Sequence, residues 1–349
     1  MRITGAGHAF PPHYYSQAEL LTAAEAQWGD QLYNTDRLAQ LFDNVMVGGR
    51  HLALPLEQYS QLDDFGRAND AWLRVALEVG QQAIEAALES AGLKAAEVDA
   101  LITVSVTGLA TPSLDARLMN RLELPSGLKR IPIFGLGCVA GAAGIARAAD
   151  YVRAFPDHVA VLLSVELCSL TLQREDLSIA NLISSGLFGD GAAAVVVSGA
   201  EREEQGPRVL ATRSSFYRDT EEVMGWEISQ RGFQIVLSAD VPEMVRRHLR
   251  QDAEAFLADQ GLALADIDSF IAHTGGPKVL EAMAETLELP HEALERTWAS
   301  LREVGNLSST SVLLVLEEMM VEDRPEPGSR SLLFAMGPGF CSELVLLEW

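Results

Sequence analysis

The chain of 349 residues is poor in basic residues, in cysteine and in long apolar runs. Its 26 lysines and arginines stand against 49 acidic residues, and the resulting net charge of -23 argues against nucleic acid and anionic membranes as partners. Three widely spaced cysteines do not make a disulfide framework, which favours a reducing cytoplasm. The longest apolar runs, such as residues 192–197, are too short to span a bilayer, and the first residues lack the pattern of a secretory signal.

Hydrophobic residues make up 48% of the chain and charged residues 21%, which is typical of an ordered globular protein. Two segments, 87–104 and 256–272, repeat one pattern in which a helix ends at a glycine and a short loop leads into a buried strand. Gly92 and Gly261 lie 169 positions apart, as do Asp99 and Asp268. Chance similarity between common helix–strand patterns is the alternative explanation, but duplication explains the gapless match better.

The repeat predicts two related α/β halves, residues 1–205 and 206–349, that pack together. The polar stretch 199–206 predicts the linker between them. Residues 13–80, which are polar and helix-rich, are interpreted as an insertion or extension that covers the core.

Cys138 is the first candidate catalytic residue, because it opens a turn between a predicted strand and a helix of small residues. A helix N-terminus stabilises a thiolate through its unpaired N–H groups and its dipole. A buried structural cysteine is the alternative, and that reading is favoured for Cys168 and Cys341, which lack the glycine turn.

His273 and Asn306 complete the candidate set. His273 follows a predicted strand and precedes a Gly-Gly-Pro loop, where α/β folds commonly place ligands. Asn306 lies 168 positions after Cys138, on the equivalent helix start of the second half. An amide there suits an oxyanion or enolate site, although it also suits a helix cap. A thiol, an imidazole and an amide together predict acyl-enzyme and enolate chemistry.

Five segments in order resemble the motifs of type III polyketide synthases in the thiolase superfamily. They are Gly-Cys-Val-Ala-Gly at 137–141, Phe-Gly-Asp-Gly-Ala at 188–192, His-Thr-Gly-Gly-Pro at 273–277, Gly-Asn-Leu-Ser-Ser at 305–309, and Gly-Pro-Gly-Phe at 337–340. The resemblance covers nearly the whole chain. It implies a thiolase-like five-layered αβαβα fold built from two duplicated halves, a homodimer, and free coenzyme A thioesters as substrates, with no metal or redox cofactor.

The resemblance also assigns residues to the substrate cavity and to coenzyme A. Phe188 matches a gatekeeper between the coenzyme A tunnel and the acyl cavity, and Ile235 stands where the family often has a second gating Phe. Lys278 and, more weakly, Arg50 match contacts to coenzyme A. The other implied cavity positions are Thr171, Ser308, Gly337, Pro338, Gly339 and Thr111, the last reaching into the partner's cavity.

Met224-Gly225-Trp226 resembles a segment of bacterial and fungal members that make alkylpyrones or alkylresorcinols. The resemblance therefore implies an acyltransferase that loads a medium- or long-chain acyl-CoA onto Cys138, extends it with malonyl-CoA and releases an alkyl α-pyrone. In this scheme His273, as imidazolium, stabilises the thiolate, and Asn306 helps to stabilise the enolate.

Three alternatives stay open. A third extension with aldol closure would give an alkylresorcinol. A ketoacyl synthase III-like enzyme would perform one condensation on a malonyl carrier protein, but carrier proteins are acidic and this chain offers little basic surface. A non-catalytic subunit of the same fold would be expected to lose its nucleophile, and Cys138 is present.

Overall fold

The computed structural model describes residues 1–32 and 36–349. The strands of its large sheet and of two small two-stranded sheets are β1 (Arg2–Ala9), β2 (His13–Ser16), β3 (Gly49–Leu52), β4 (Ala100–Val104), β5 (Lys129–Ile133), β6 (Val159–Leu167), β7 (Asp190–Ser198), β8 (Arg208–Phe216), β9 (Met224–Ser229), β10 (Gly232–Leu237), β11 (Ser269–Ala272), β12 (Arg330–Gly337) and β13 (Cys341–Glu348). The α-helices are α1 (Gln17–Trp28), α2 (Asp36–Asn44), α3 (Phe65–Ala91), α4 (Leu114–Arg121), α5 (Ala140–Ala154), α6 (Ile179–Leu187), α7 (Val241–Ala258), α8 (Pro277–Leu287), α9 (Glu295–Val304) and α10 (Ser311–Val321).

The two halves of the chain build sheets that share a four-strand topology, and β5 adds a fifth strand beside β4 in the first half. In the first half, β4 pairs parallel with β6, β6 antiparallel with β7, and β7 antiparallel with β1. In the second half, β11 pairs parallel with β12, β12 antiparallel with β13, and β13 antiparallel with β8. The sheets join where Arg2 of β1 pairs with Arg208 of β8. The shared order and direction of these strands confirm the predicted duplication.

The layers follow from which faces of the sheets are apolar. Helices α5 and α10 lie between the two sheets, and Ile145 and Val312 share a buried cluster with Ile102 of the first sheet and Leu333 of the second. Helix α3 covers the outer face of the first sheet, and α7 and α8 cover the outer face of the second. Because the inner strands are buried on both faces, their sequences are almost continuously apolar, as in β6. This is the predicted five-layered αβαβα arrangement.

The interpretation of residues 13–80 was partly wrong. Helix α3 begins at Phe65 and belongs to the outer layer of the first half, where Trp72, Val75 and Val79 are buried against the sheet. The earlier elements α1, α2 and the two-stranded β2–β3 sheet do cover the core. The misreading arose because α3 carries its apolar residues as a single stripe between polar ones.

The connection between the two halves runs from β7 to β8. Strand β7 ends at Ser198 and β8 begins at Arg208, so the predicted boundary after residue 205 falls between them and stays a prediction. Across the described ranges 1–32 and 36–349, none of the helices combines the length and the apolarity that crossing a bilayer requires.

Candidate active site

Cys138 lies in the 3₁₀ turn Gly137–Val139, directly before α5 begins at Ala140. Its side chain is 6% exposed, and its Sγ lies 3.5 Å from the Ser308 hydroxyl oxygen. Gly141 permits this approach of the two halves, since a Cβ at that position would lie 2.2 Å from the Ser309 carbonyl oxygen. The turn predicted from the sequence therefore places the thiol against the equivalent turn of the second half.

His273 follows β11 directly and is 3% exposed. Its backbone N–H donates to the Phe334 carbonyl of β12 at 3.2 Å, which extends the parallel pairing of the two strands. Its ring Nδ1 is buried without a hydrogen-bond partner among the described residues. Such a free ring nitrogen is a costly feature for a purely structural histidine.

Asn306 is held with its amide in one orientation. Its Oδ1 accepts a hydrogen bond from the Ser308 N–H at 2.8 Å, which leaves the amide NH₂ group to donate to a ligand. Its backbone N–H donates to the Leu187 carbonyl, and the Gly189 N–H donates to its carbonyl. Phe188 and Asn306 are thereby tied to each other through a short β-bridge.

Ser311 connects the His273 segment to the Asn306 segment. Its buried hydroxyl oxygen accepts from the Thr274 hydroxyl at 2.8 Å and from the Leu307 N–H at 2.8 Å. Thr274 follows His273 and Leu307 follows Asn306, so one hydroxyl fixes both turns relative to each other. No local sequence pattern singles out Ser311.

We expect Ser311→Ala to lower the free energy of unfolding by about 1–3 kcal/mol, because it leaves a buried N–H and a buried hydroxyl without an acceptor. The same change should lower kcat by loosening both turns. Urea unfolding and steady-state kinetics measure the two effects, and Ser90→Ala on the exposed face of α3 is the matched control. Unchanged stability and kcat in Ser311→Ala would contradict the role assigned to this hydroxyl.

Burial dominates the titration of both candidate catalytic groups. It raises the pKa of the Cys138 thiol to about 12, only partly offset by the Ser308 hydroxyl, and lowers the pKa of His273 to about 4. Both groups are therefore neutral in the empty site at pH 7. Since neither charge is stable alone, a thiolate and an imidazolium would have to form together as a pair.

Glu166 is a fully buried carboxyl whose negative charge contributes to raising the pKa of the Cys138 thiol. It accepts hydrogen bonds from the Val106 N–H at 3.1 Å, from the Thr107 hydroxyl at 2.9 Å, and from the Ser309 hydroxyl. Burial nevertheless raises its pKa to about 7. The sequence signal that could have found it is a single acidic residue inside the apolar strand β6.

Glu166→Gln should flatten the dependence of stability on pH. A carboxyl whose pKa in the folded protein lies above its ordinary value of 4.5 binds more protons in the folded state. Its contribution therefore favours folding at low pH and is lost as pH rises from about 4.5 to about 7. Within that interval the loss amounts to roughly 1.4 kcal/mol for each unit of pH.

The measurement is urea unfolding of wild type and Glu166→Gln at pH 5 and pH 8. The difference between the two proteins cancels the contribution of Asp190, another buried carboxyl, whose pKa burial raises to about 6. Parallel pH profiles for wild type and variant would mean that Glu166 is ionised throughout this range.

A largely apolar cavity of about 250 Å³ opens on Cys138. Phe188, Trp226 and Ile235 line it, and Trp226 pairs with Ile235 across the β9–β10 hairpin, so this hairpin forms one wall. Thr171 and Ser308 also line it. Cys168, which was predicted to be a structural cysteine, lines it too. Burial raises the pKa of the Cys168 thiol well above its ordinary value.

The Gly-Pro-Gly segment reaches the cavity through Pro338 alone. Pro338 packs on Gly137, where a Cβ would lie 2.6 Å from the proline ring. Gly337 is the last residue of β12, and a Cβ added to it would lie 2.8 Å from the backbone nitrogen of Val139. Gly339 packs against Phe216. The two glycines therefore position the turn and the proline forms cavity wall.

Of the other predicted residues, Thr111 and Lys278 lie outside the cavity lining, and Arg50 is hydrogen-bonded to other residues of the protein. Thr111 is exposed on the loop after β4, and Lys278 is exposed in the first turn of α8. Arg50 is 3% exposed and donates to the Gln17 side chain and to the carbonyls of Gly186 and Ser185. Arg50 also lines the Cys138 cavity, and both terminal nitrogens of its guanidinium are occupied by the protein, so its contact with coenzyme A stays a prediction.

Two family profiles match the chain in succession. Residues 66–212 match "FAE1/Type III polyketide synthase-like protein", and residues 209–348 match "Chalcone and stilbene synthases, C-terminal domain".

Individual proteins match over nearly the full length. The 1,3,6,8-tetrahydroxynaphthalene synthase of Streptomyces peucetius subsp. caesius is 52% identical, over 98% of this chain and 91% of its own. A putative chalcone synthase of Bacillus subtilis is 35% identical, over 99% and 98%. The crystal structure of 1,3,6,8-tetrahydroxynaphthalene synthase from Streptomyces coelicolor A3(2) superposes with a TM-score of 0.93 at 33% identity, over 100% and 99%.

Proposed function

The chain belongs to the chalcone and stilbene synthase family of type III polyketide synthases, acyltransferases that perform decarboxylative condensation with malonyl-CoA, and on that premise we propose that it extends a medium- or long-chain acyl-CoA and releases an alkyl α-pyrone. Cys138 carries the acyl group. His273 and Asn306 stabilise the charges that develop on oxygen.

The apolar arm of the cavity is the observation that carries this proposal. The cavity extends from Cys138 to side chains of α1 and α2, and this arm is lined by Leu20, Ala24, Trp28, Phe42 and Leu52. Burial in such an arm stabilises a bound alkyl chain by about 0.8 kcal/mol per CH₂. A malonyl group alone leaves this surface empty.

In the loading step the Cys138 thiol transfers its proton to His273, and the thiolate attacks the acyl-CoA carbonyl. The thiolate of coenzyme A leaves, and the acyl group stays on sulfur. Malonyl-CoA then loses CO₂, and the electron pair of the broken carbon–carbon bond forms an enolate. The NH₂ group of Asn306, which faces away from its hydrogen bond with Ser308, and the His273 ring donate to the enolate oxygen.

The enolate attacks the acyl–Cys138 carbonyl, which releases the thiolate and leaves a β-ketoacyl-CoA. Reloading and a second condensation give a triketide thioester. An enol oxygen of this triketide attacks the thioester carbonyl and expels coenzyme A, which closes the α-pyrone. A third condensation followed by aldol closure gives a resorcinol from the same intermediates.

Product mass spectrometry tests the proposal. Purified protein is incubated with malonyl-CoA and a ladder of starters from acetyl- to palmitoyl-CoA. Triketide pyrones that contain the intact starter are the expected products. Products formed only when a malonyl carrier protein is supplied would instead favour a ketoacyl synthase III-like enzyme.

A second candidate product comes from the relatives. A protein 52% identical to this chain is a 1,3,6,8-tetrahydroxynaphthalene synthase, and a naphthalene skeleton of ten carbons corresponds to five two-carbon units from malonyl-CoA. The incubation with malonyl-CoA alone tests this candidate. A tetrahydroxynaphthalene in that reaction, with no alkylated product in the others, would replace the pyrone assignment.

The proposed enzyme is a homodimer that binds free coenzyme A thioesters. Leu109 and Phe134, large apolar side chains that follow the adjacent parallel strands β4 and β5, are 40% and 46% exposed, which supports a subunit contact at this edge. Lys278 stays the proposed phosphate contact, since it is exposed beside the His273 loop. Sedimentation equilibrium and the KM for malonyl-CoA in Lys278→Glu test the two points.

A further inference from the structure

The cavity that opens on Cys138 is separated from a second cavity by a thin partition. The second cavity, of about 290 Å³, is polar and has Asp63, Asp64, Glu175 and Arg231 in its wall. Residues that line both cavities form the partition: Gln27, Tyr59, Ser169, Leu172 and Arg174.

Hydrogen bonds link the end of α1 to the partition. The indole Nε1 of Trp28, which is 2% exposed, donates to the Arg174 carbonyl at 2.8 Å. The Arg174 Nε donates to the Gln27 side chain at 3.1 Å, and the Arg174 Nη1 donates to the Ser60 carbonyl at 3.1 Å. The Trp28 ring thus lies on the apolar side and the Arg174 guanidinium is fixed between the cavities.

The apolar side of α1 supplies the rest of this wall. Leu20, Ala23, Ala24 and Trp28 follow one another at helical spacing and all line the Cys138 cavity. Ala26, on the same helix, is exposed to solvent. Helix α1 packs on α2, α6 and β3, which also contribute residues to the lining of this cavity.

We propose that Trp28 and Ala24 set the longest acyl starter that the enzyme accepts, an inference that rests on the proposed function. The terminal methyl group of the longest good starter meets the Trp28 ring. A longer chain would have to pass the partition into the polar cavity, where its methylene groups find no apolar surface to stabilise binding. Each methylene without an apolar place leaves kcat/KM roughly fourfold below the value that its burial would give.

Ala24→Phe tests the arm directly, because the ring would fill space that the acyl chain uses. We expect the optimum of kcat/KM in a ladder of acyl-CoAs to move to shorter chains. Ala26→Phe is the matched control, with the same change on the exposed face. An unchanged chain-length optimum in Ala24→Phe would overturn the proposal.

Trp28→Ala tests the partition from the other side. It should extend the range to longer starters, whereas Trp28→Phe, which keeps a ring and loses the N–H, should keep the wild-type limit. Thermal melting identifies any variant that does not fold, and Ala24→Phe then decides alone. A longer limit in both Trp28 variants would locate the stop in the hydrogen bond rather than in the ring.

The acyl ladder on wild type separates this inference from the proposed function. If wild type makes no alkylated product from any acyl-CoA but converts malonyl-CoA, the proposed starter class is wrong. If wild type makes alkylpyrones and the Ala24 and Trp28 variants keep its chain-length profile, only the assignment of the wall is wrong.

Discussion

Cys138→Ala should form no detectable polyketide from any combination of acyl-CoA and malonyl-CoA, a loss of roughly 10⁴-fold or more in kcat. The reason is that the acyl group then has no covalent site on the protein. Intact-protein mass spectrometry after incubation with an acyl-CoA alone should show one acyl adduct per wild-type chain and none on the variant.

Cys341→Ala is the control for this experiment. Its thiol is half-buried and lies by the Pro338 carbonyl, outside the cavity lining. It should keep both the adduct and the product. An acyl adduct that persists in Cys138→Ala would locate the nucleophile elsewhere, and Cys168 in the cavity wall would be the first residue to test.

Asn306→Ala should lower kcat for condensation by about 10²–10³-fold, the usual loss for one oxyanion donor in a water-poor site. Loading of Cys138 depends less on this amide, since the enolate has not yet formed. The acyl adduct should therefore appear in the variant while release of CO₂ from malonyl-CoA slows. Single-turnover loading and labelled CO₂ release measure the two steps separately.

Asn306→Asp sharpens this test. The carboxylate keeps the Oδ1 acceptor for the Ser308 N–H but replaces the donor NH₂ by a negative oxygen next to the developing enolate. It should be at least as slow as Asn306→Ala. If both variants decarboxylate malonyl-CoA at the wild-type rate, the amide acts as a helix cap and not as a donor to substrate.

The sequence was most informative where a function depends on local chain geometry. Cys138, His273 and Asn306 each stand beside a glycine turn next to a strand or helix, and such turns leave a local signature. The duplication was visible for the same reason, since a glycine helix cap followed by a buried strand recurs at one spacing. Both features are properties of short segments.

Residues that act through tertiary contacts were missed or misplaced. Ser311 matters because Thr274 and Leu307 converge on it, and no local pattern indicates that convergence. Arg50 was expected at a phosphate, but α6 ends against it and its carbonyls take up the guanidinium. Cys168 has no glycine turn and yet lines the cavity, because β6 ends there.

The position of β1 has a consequence for how the chain reaches this structure. Arg2 of β1 pairs with Ser198 of β7 and with Arg208 of β8. Strand β1 therefore cannot form these pairs until almost two hundred further residues have been synthesised. Contacts of such long sequence separation make folding slow and leave this strand unpaired in early intermediates. Chaperones are therefore expected to bind β1 during translation, and the protein should aggregate when it is refolded from urea at high protein concentration.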